Sequence, residues 1–311
     1  MKNVLYAVII LNYNTIDDAI AACESVKKNA TTGQYVVCIA DNASTKEYDR
    51  EKCKTFSADN VITVCLDKNG GYAQGNNQAI SFVRKNYNPK YYVIMNPDVL
   101  VIDCGTIENM IDRMEQCGGD IVGGQPLVWN CFYGDDARMQ QNIRQVPGFT
   151  DLCMLSNLAL KVLLRKRYRK FTYFDSKPYQ EEIRYRVPSG AFFAIDAAVF
   201  EKIGLFDPNT FLYYEEHIIG KKLEEIDKEL LFMPQFLVRH EHGKSTGDNH
   251  YSINWFARKC GQDAKNYYAT EYLNCNRAQL LLLNILSALD IPLQYFRMQI
   301  NRIGNKWKKT S

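Results

Sequence analysis

The strongest constraint on this chain is a unit repeated through its first 130 residues: a short β-branched, apolar run, then a segment with apolar residues at helical spacing. The runs predict strands over Tyr6–Leu11, Tyr35–Ala40, Val61–Leu66, Tyr91–Met95 and Ile121–Val128. Between the first two, Ile16, Ile20, Cys23 and Val26 recur at helical spacing. Thr15 and Asp18 form a capping-box pattern there, and Gly33 closes the segment. Gln74 to Tyr87 and Thr106 to Gln116 predict further helices. Strands separated by helices imply parallel crossovers. The expected class is therefore α/β: a Rossmann-like, mostly parallel, doubly wound sheet with helices on both faces.

After residue 130 the rhythm breaks. Asn130 to Thr150 is polar and predicts a loop, and Asp151 to Lys170 predicts one helix with a basic end. A second α/β stretch follows, with strands at Tyr185–Asp196 and Leu230–Arg239 and helices at Ala197–Ile203 and Glu215–Asp227. From Ser252 onward the chain reads as all helix. At 311 residues the chain exceeds a typical single domain. We expect one large domain over 1–250, with a nucleotide half at 1–130 and an acceptor half at 131–250, and a helical C-terminal extension at 251–311.

Charge and cysteine usage exclude some classes. A net charge of +3 gives no case for nucleic acid. The ten cysteines form no C-x-x-C pair, which suits free thiols in a reducing cytoplasm. Val4 to Leu11 is too short for a signal peptide's apolar region. The most apolar run, Leu280 to Leu289, is interrupted by Asn284 and Ser287, so no membrane-spanning helix is expected. The chain reads as soluble or peripherally attached.

Ligands of open α/β sheets bind outside the carboxyl ends of the strands. Polar residues at those ends are the candidate site. Asn12 and Asn14 follow the first run, and Asp41 and Asn42 the second. A carboxylate at Asp41 suits the imide N–H of uracil or thymine, although Asp-Asn is also a turn former. Asn69 to Asn77 (N-G-G-Y-A-Q-G-N-N) lacks the spacing of a dinucleotide fingerprint because Tyr72 stands where it needs glycine. What remains is a Gly-rich turn opening a helix, able to approach an anion or merely to join strand and helix. Asn96-Pro97-Asp98 ends the fourth run, since proline breaks the ladder. Asp98 there suits a hard divalent cation that also holds phosphate, or an ordinary turn. Glu215-Glu216 open a helix, where the dipole favours acids; after Phe211-Leu212-Tyr213-Tyr214, one of them also suits a desolvated general base. His240 and His242 sit in H-E-H-G-K-S-T after a strand, where an imidazole could join Asp98 on a metal; structural zinc is poorly supported.

Taken together, the motifs resemble glycosyltransferase family 2, the inverting enzymes of the GT-A fold, particularly rhamnosyltransferase-like enzymes of bacterial capsule and O-antigen synthesis. The resemblance runs from about Leu5 to Thr246 and adds P-S-G-A-F-F-A-I (Pro188 to Ile195), G-L-F-D-P-N-T-F-L-Y-Y-E-E (Gly204 to Glu216) and His240 to Ser245. It implies that Asn12, Asn14, Asp41 and Asn42 hold base and ribose. Asn69, Gly70, Gly71 and Asn76 or Asn77 would line the nucleotide-sugar pocket. Asp98 stands where the second acid of D-x-D binds Mn²⁺ or Mg²⁺ on the donor diphosphate, and His240 where a second metal ligand can come from. Glu215-Glu216 stands where the family usually has Glu-Asp, whose second acid is the base; that assigns Glu216, with Glu215 as the rival. Here D-x-D is reduced to Asn96-Pro97-Asp98, and the base is one methylene longer than usual. The implied donor is a UDP- or dTDP-sugar, and the implied acceptor a glycan or lipid-diphosphate saccharide.

Two segments rich in bases remain. Lys161 to Lys170 holds six bases and no acid, and Ile291 to Ser311 holds five bases and no acid. Lys161–Lys170 and Arg297–Lys309 suit an anionic membrane surface, hence a peripheral place on its cytoplasmic side; the alternatives are a solvated helix face or helix packing in a homo-oligomer. Two other classes stand beside the transferase. A sugar nucleotidyltransferase would need a basic Gly-rich loop after the first strand, which Asn12 to Thr15 does not supply. A catalytically inactive nucleotide-sugar-binding scaffold would make Asp98, Glu215 and Glu216 dispensable.

Overall fold

The computed structural model describes residues 1–130, 138–140, 143–173, 181–241 and 254–310. The strands are β1 (Lys2–Asn12), β2 (Tyr35–Asp41), β3 (Val61–Cys65), β4 (Tyr87–Met95), β5 (Val99–Val101), β6 (Ile121–Asn130), β7 (Arg138–Gln140), β8 (Ile183–Tyr185), β9 (Phe192–Asp196) and β10 (Glu229–His240). The helices begin with α1 (Ile16–Asn29), α2 (Glu47–Thr55), α3 (Gly71–Val83) and α4 (Thr106–Gln116). They continue with α5 (Phe149–Leu155), α6 (Leu158–Leu163), α7 (Arg165–Phe171), α8 (Ala197–Lys202), α9 (Glu215–Glu225), α10 (Trp255–Glu271) and α11 (Arg277–Thr310).

One sheet runs β3-β2-β1-β4-β9-β6-β10-β5, with β7 beside β6 and β8 beside β10. The strands β3, β2, β1 and β4 are mutually parallel, as right-handed crossovers require. Antiparallel β9 then inserts between β4 and β6. Both faces are covered, so central strands are apolar on both sides. In β1, Tyr6, Val8 and Ile10 pack with α1 and α4, while Ala7 and Ile9 pack with α3, α8 and α9. In β9, Phe192 and Ala194 serve the first layer, and Phe193 and Ile195 the second. Burying each such phenylalanine contributes roughly 1.5–3 kcal/mol. A third, smaller core joins Leu152 of α5, Ile218 of α9, Tyr268 of α10 and Leu283 of α11.

Several boundaries differ from the sequence expectation, each for a local reason. No capping-box bond forms at Thr15. Its N–H and hydroxyl both turn to Asn12 Oδ1, and Asp49 Oδ1 takes the Ile16 N–H at 2.7 Å. The helix expected to reach Tyr87 stops at Val83, because Asn88-Pro89 favours extended backbone and feeds β4. The single helix expected over 151–170 is three, because the Asn157 side chain caps α6 through the N–H groups of Ala159 and Leu160. The strand expected over 185–196 is also two. Pro188 donates nothing to a ladder, and the Ser189 N–H goes to Gln125 Oε1 at 2.7 Å. The strand β7 falls where a loop was expected. Finally, Arg277–Phe296 is, by length and composition, long and apolar enough to cross a membrane, contrary to the sequence reading.

Candidate active site

The parallel register sets Asn12 beside Asp41, at the carboxyl ends of β1 and β2. Asn12 Nδ2 donates to Asp41 Oδ1 at 2.8 Å, and the Ser44 N–H donates to Asp41 Oδ2 at 3.1 Å. Asp41 is completely buried, so its first task is to lock two strand ends together. Asn42 follows, also buried. Its Nδ2 donates to Asn69 Oδ1 at 3.0 Å and to the Gly71 carbonyl at 3.1 Å. Its Oδ1 is buried and has no hydrogen-bond partner among the described residues, leaving an acceptor for a ligand N–H or O–H. Asn69 Oδ1 also takes the Gly71 N–H at 2.9 Å.

Gly71 opens α3 at φ +83°, and a Cβ there would lie 2.1 Å from the Phe211 carbonyl oxygen. That carbonyl takes the Tyr72 N–H at 2.9 Å. The Gly-rich turn therefore presses directly on the loop that leads into α9. Gly70 sits one residue earlier, against Gln74.

Other candidate residues are engaged elsewhere. Asn14, at φ 61°, binds the backbone N–H groups of Thr45 and Lys46 in an exposed turn. Asn76 donates to Tyr72 O within α3. Asn77 donates to Phe206 O at 2.8 Å and accepts the Phe206 N–H at 3.2 Å, clamping the 204–214 loop to α3. The structure thus brings Asn12, Asp41, Asn42, Asn69 and Gly71 together and directs Asn14, Asn76 and Asn77 to backbone partners.

Asp98 lies in the turn between β4 and β5. Its carbonyl takes the Glu241 N–H at 2.8 Å, and its Oδ1 lies 3.1 Å from His240 Nε2, both side chains being buried. The antiparallel β10–β5 pairing opposes His240 to Val99, which makes this meeting a matter of register. Residues 242 to 246 of the same motif lie outside the described residues. Among the described residues no group of three or more His, Cys, Asp or Glu side chains gathers as a metal cage. A cation at this place is offered one carboxylate and one imidazole among the described residues. This suits a Mn²⁺ or Mg²⁺ whose remaining ligands are donor phosphates and water.

Glu215 and Glu216 open α9 after two consecutive left-handed residues, Tyr213 (φ 75°) and Tyr214 (φ 70°). Backbone in that region costs a non-glycine residue energy and persists only where packing enforces it. Here Phe211 meets Phe256 of α10 edge-on at 5.9 Å, and Tyr214 packs on Tyr268 at 5.7 Å. Asp207 fastens the same loop: its Oδ2 takes the hydroxyls of Tyr267 (2.9 Å) and Tyr272 (2.5 Å). Burial alone would raise the Asp207 carboxyl, but these bonds and those from Asn209 outweigh it and hold it below its ordinary value.

The two glutamates differ. Glu215 is 3% exposed, and its Oε1 has no partner among the described residues. Burial, then the neighbouring Glu216 charge, pushes its carboxyl up to about 8. Glu216 is half-buried and accepts the Gly190 N–H at 3.1 Å. Burial raises its carboxyl too, opposed by backbone N–H groups and the Arg144 charge. Tyr72 closes this corner, donating to Gly190 O at 2.8 Å. Next along, Ala191 O takes the Asn96 N–H at 2.9 Å. One short segment, 189–191, therefore ties the Glu216 carboxylate to the turn that carries Asp98. Gly190 and Tyr72 had no role in the sequence reading; the signal was a Pro-Ser-Gly interrupting an apolar run. Also here is the half-buried His217, whose ring is held neutral by desolvation and by the Arg144 charge, its pKa lowered to about 3.

Two predictions arise from this corner. A Cβ at Gly190 would come within 2.3 Å of Glu216 Oε1, the far end of a flexible side chain. Gly190→Ala is therefore expected to displace the carboxylate and lower turnover about 100-fold, with a melting temperature close to the parent's. Steady-state kinetics beside a thermal melt checks it. The second concerns pH. Glu215 binds a proton in the folded state up to about pH 8, but in the unfolded state only up to about 4.5. Stability should fall as pH rises through that window, because the native state holds the extra proton. Glu215→Gln mimics the protonated form, so its melting temperature should exceed the parent's by roughly 5 °C at the alkaline end and match it at the acid end.

Comparison with known proteins agrees with this architecture. A family model described as glycosyl transferase family 2 matches residues 7–204. No curated protein sequence matches the chain. Similar solved structures include GalNAc-T7 with UDP, GalNAc and Mn²⁺ (19% identity, 86% of this chain and 49% of that chain covered, TM-score 0.58). The mannosyltransferase PcManGT from Pyrobaculum calidifontis in complex with GDP-Man and Mn²⁺ is another (13% identity, 95% and 73% covered, TM-score 0.54). A third is S. aureus TarS 1-349 (11% identity, 97% and 72% covered, TM-score 0.52). The chain spans about half the length of the GalNAc-T7 chain. At these identities the likeness is one of fold, an α/β sheet flanked by helices.

Proposed function

The chain belongs to glycosyl transferase family 2, and on that premise we propose a metal-dependent, inverting enzyme that moves a sugar from a UDP- or dTDP-sugar to a hydroxyl of a saccharide acceptor. Residues 1–250 carry the reaction and 251–311 form an extension. In this reading the acceptor is a lipid-linked saccharide of bacterial surface polysaccharide synthesis, of the rhamnosyltransferase-like kind. The nine described cysteines are free, which supports a reducing, cytoplasmic setting.

The observation that carries the proposal is the link through 189–191. It couples a desolvated carboxylate, Glu216, to the Asp98–His240 pair. A transferase needs those two functions, a base and an anchor for diphosphate, held at fixed separation across one crevice. Asn42 and Asn69 hold the base and ribose side, and Asp41 fixes the strand ends behind them. Asp98 and His240 would hold the cation, which supplies neutralisation of charge on the departing diphosphate. Glu216 takes the proton of the acceptor hydroxyl as that oxygen bonds the anomeric carbon. The bond from that carbon to the diphosphate oxygen breaks on the opposite face, so configuration inverts. A carboxyl raised by burial is a better base near neutral pH than a solvated one. Glu215, more deeply buried, keeps its proton at that pH and limits repulsion beside Glu216.

The test is a thermal-shift panel of UDP, dTDP, GDP and CMP, each with and without Mn²⁺. A ligand at 100 times its dissociation constant adds about 2.7 kcal/mol of stability. A Mn²⁺-dependent shift with UDP or dTDP supports the donor site. No shift with any nucleotide favours the inactive-scaffold reading.

A further inference from the structure

The C-terminal helix α11 has its amphipathicity reversed. Its buried positions between Leu283 and Asp290 are Leu283, Ser287 and Asp290. Its exposed positions include Leu281, Leu282, Ile285, Leu289, Leu293 and Phe296, which recur at helical spacing on the opposite side. Only 17% of the apolar stretch Arg277–Phe296 is buried. The inward face buries one leucine with a serine and an aspartate while most of the apolar side chains face outward; that is the wrong way round for water, and an exposed apolar face of this length marks a contact with something else.

The inward face is firmly held. Ser287 Oγ accepts a hydrogen bond from the buried Lys265 Nζ at 2.6 Å, and Asp290 Oδ1 accepts the Leu158 N–H of α6 at 2.7 Å. A spanning helix meets lipid all round, and these bonds prevent that without unpacking three helices. The helix is placed to lie on a bilayer, with one side in lipid and the other on the protein.

The neighbourhood continues the surface. Val162 and Leu163 of α6 are 70% and 78% exposed, followed by the exposed bases Arg165 and Lys166 of α7. Trp255 of α10 is 61% exposed and, with Arg258 of α10 and Asn284, Ser287, Ala288 and Ile291 of α11, lines a groove of about 300 Å³. Beyond Phe296 the sequence adds Arg297, Arg302, Lys306, Lys308 and Lys309 with no acid. An apolar face, a tryptophan at its border and bases without acids complement an anionic bilayer.

From this we infer that α11, with α6 and the start of α10, docks the protein flat on an anionic lipid bilayer. The same docking would set the acceptor mouth at the lipid surface, because Phe256 touches Phe211, four residues before Glu215. That consequence rests on the transferase reading; the docking itself does not.

The experiment is co-sedimentation of the full chain with vesicles of phosphatidylcholine alone, or of phosphatidylcholine with about a quarter phosphatidylglycerol. The chain should pellet with the anionic vesicles at least tenfold better than with the neutral ones, less so at high salt. The double variant Ile285→Glu, Leu289→Glu changes only exposed positions, so it should stay folded and remain in the supernatant. Its nucleotide-induced thermal shift should equal the parent's. No sedimentation of the parent with either vesicle overturns the inference. So does a dimer in light scattering that the double variant dissociates while vesicle binding is absent, because the face then belongs to a second copy. A parent that sediments with lipid but shows no nucleotide shift defeats the transferase reading and leaves the docking in place.

Discussion

Glu216→Gln is expected to reduce sugar transfer about 1,000-fold while leaving nucleotide affinity unchanged, within the usual range for loss of a general base. The amide keeps the shape of the carboxylate, and its carbonyl oxygen can still accept the Gly190 N–H that lies 3.1 Å from Glu216 Oε1. What it loses is the ability to take a proton. A second effect should accompany the first. Glu215 is raised partly by the Glu216 charge, so removing that charge lets Glu215 ionise at lower pH. Single-turnover transfer measured beside nucleotide titration separates chemistry from binding. Unchanged turnover in Glu216→Gln, with loss in Glu215→Gln, would move the base to Glu215. Unchanged turnover in both would sink the mechanism.

Asp98→Ala should lose both donor binding and transfer, the latter by more than about 1,000-fold if diphosphate neutralisation matters as much as electrostatic stabilisation usually does. The carboxylate meets His240 at 3.1 Å within a buried corner, so removing it takes half of the two-residue donor set. The Mn²⁺-dependent part of the UDP or dTDP thermal shift should vanish, while any metal-independent part survives. Because Asp98 is buried, Asp98→Asn serves as the control that keeps volume and loses charge. It should fold like the parent and bind the nucleotide as weakly as Asp98→Ala. A full Mn²⁺-dependent shift in Asp98→Asn would show that the cation is held elsewhere.

The parts of this fold that were legible in the sequence are those fixed by local periodicity. Apolar runs predicted β1, β2, β3, β4 and β6, and Thr106 to Gln116 was read to its ends. Asn12 and Asp41 of the strand-end motifs do lie at the carboxyl edge of the sheet, since a polar residue after a buried run has few other places to go. What stayed hidden depends on long-range register. Nothing near Asn77 says that its amide will clamp Phe206, 129 residues away. Nothing in Pro188 to Ile195 says that the run splits so that Gly190 can face Glu216. The pairing of Asp98 with His240 was anticipated as a shared metal site and not from register; in the structure it depends on β10 lying antiparallel to β5, a strand of three residues that has no periodicity to read. The orientation of α11 was hidden for the same kind of reason. Leu280 to Leu289 read as an apolar run with polar interruptions, whereas Leu283, Ser287 and Asp290 are the buried positions and Leu281, Leu282 and Leu289 face outward.

The Asp207 fastening has a consequence for how the protein divides. The family-matched stretch ends at residue 204, and the loop that sets the direction of Glu216 begins there. Tyr214 in that loop packs on Tyr268 of α10, Asp207 takes the hydroxyls of Tyr267 and Tyr272 at the end of α10, and Asn77 of α3 clamps Phe206 near the start of the loop. The carboxylate proposed as the base is thus aimed by a part of the chain outside the family-matched stretch. A shortened protein ending near residue 250 would keep every candidate donor-binding residue and still lose the aim of its base. It would behave as a nucleotide binder with an idle second half, and α10 is better regarded as the missing wall of the active site than as an appendage to it.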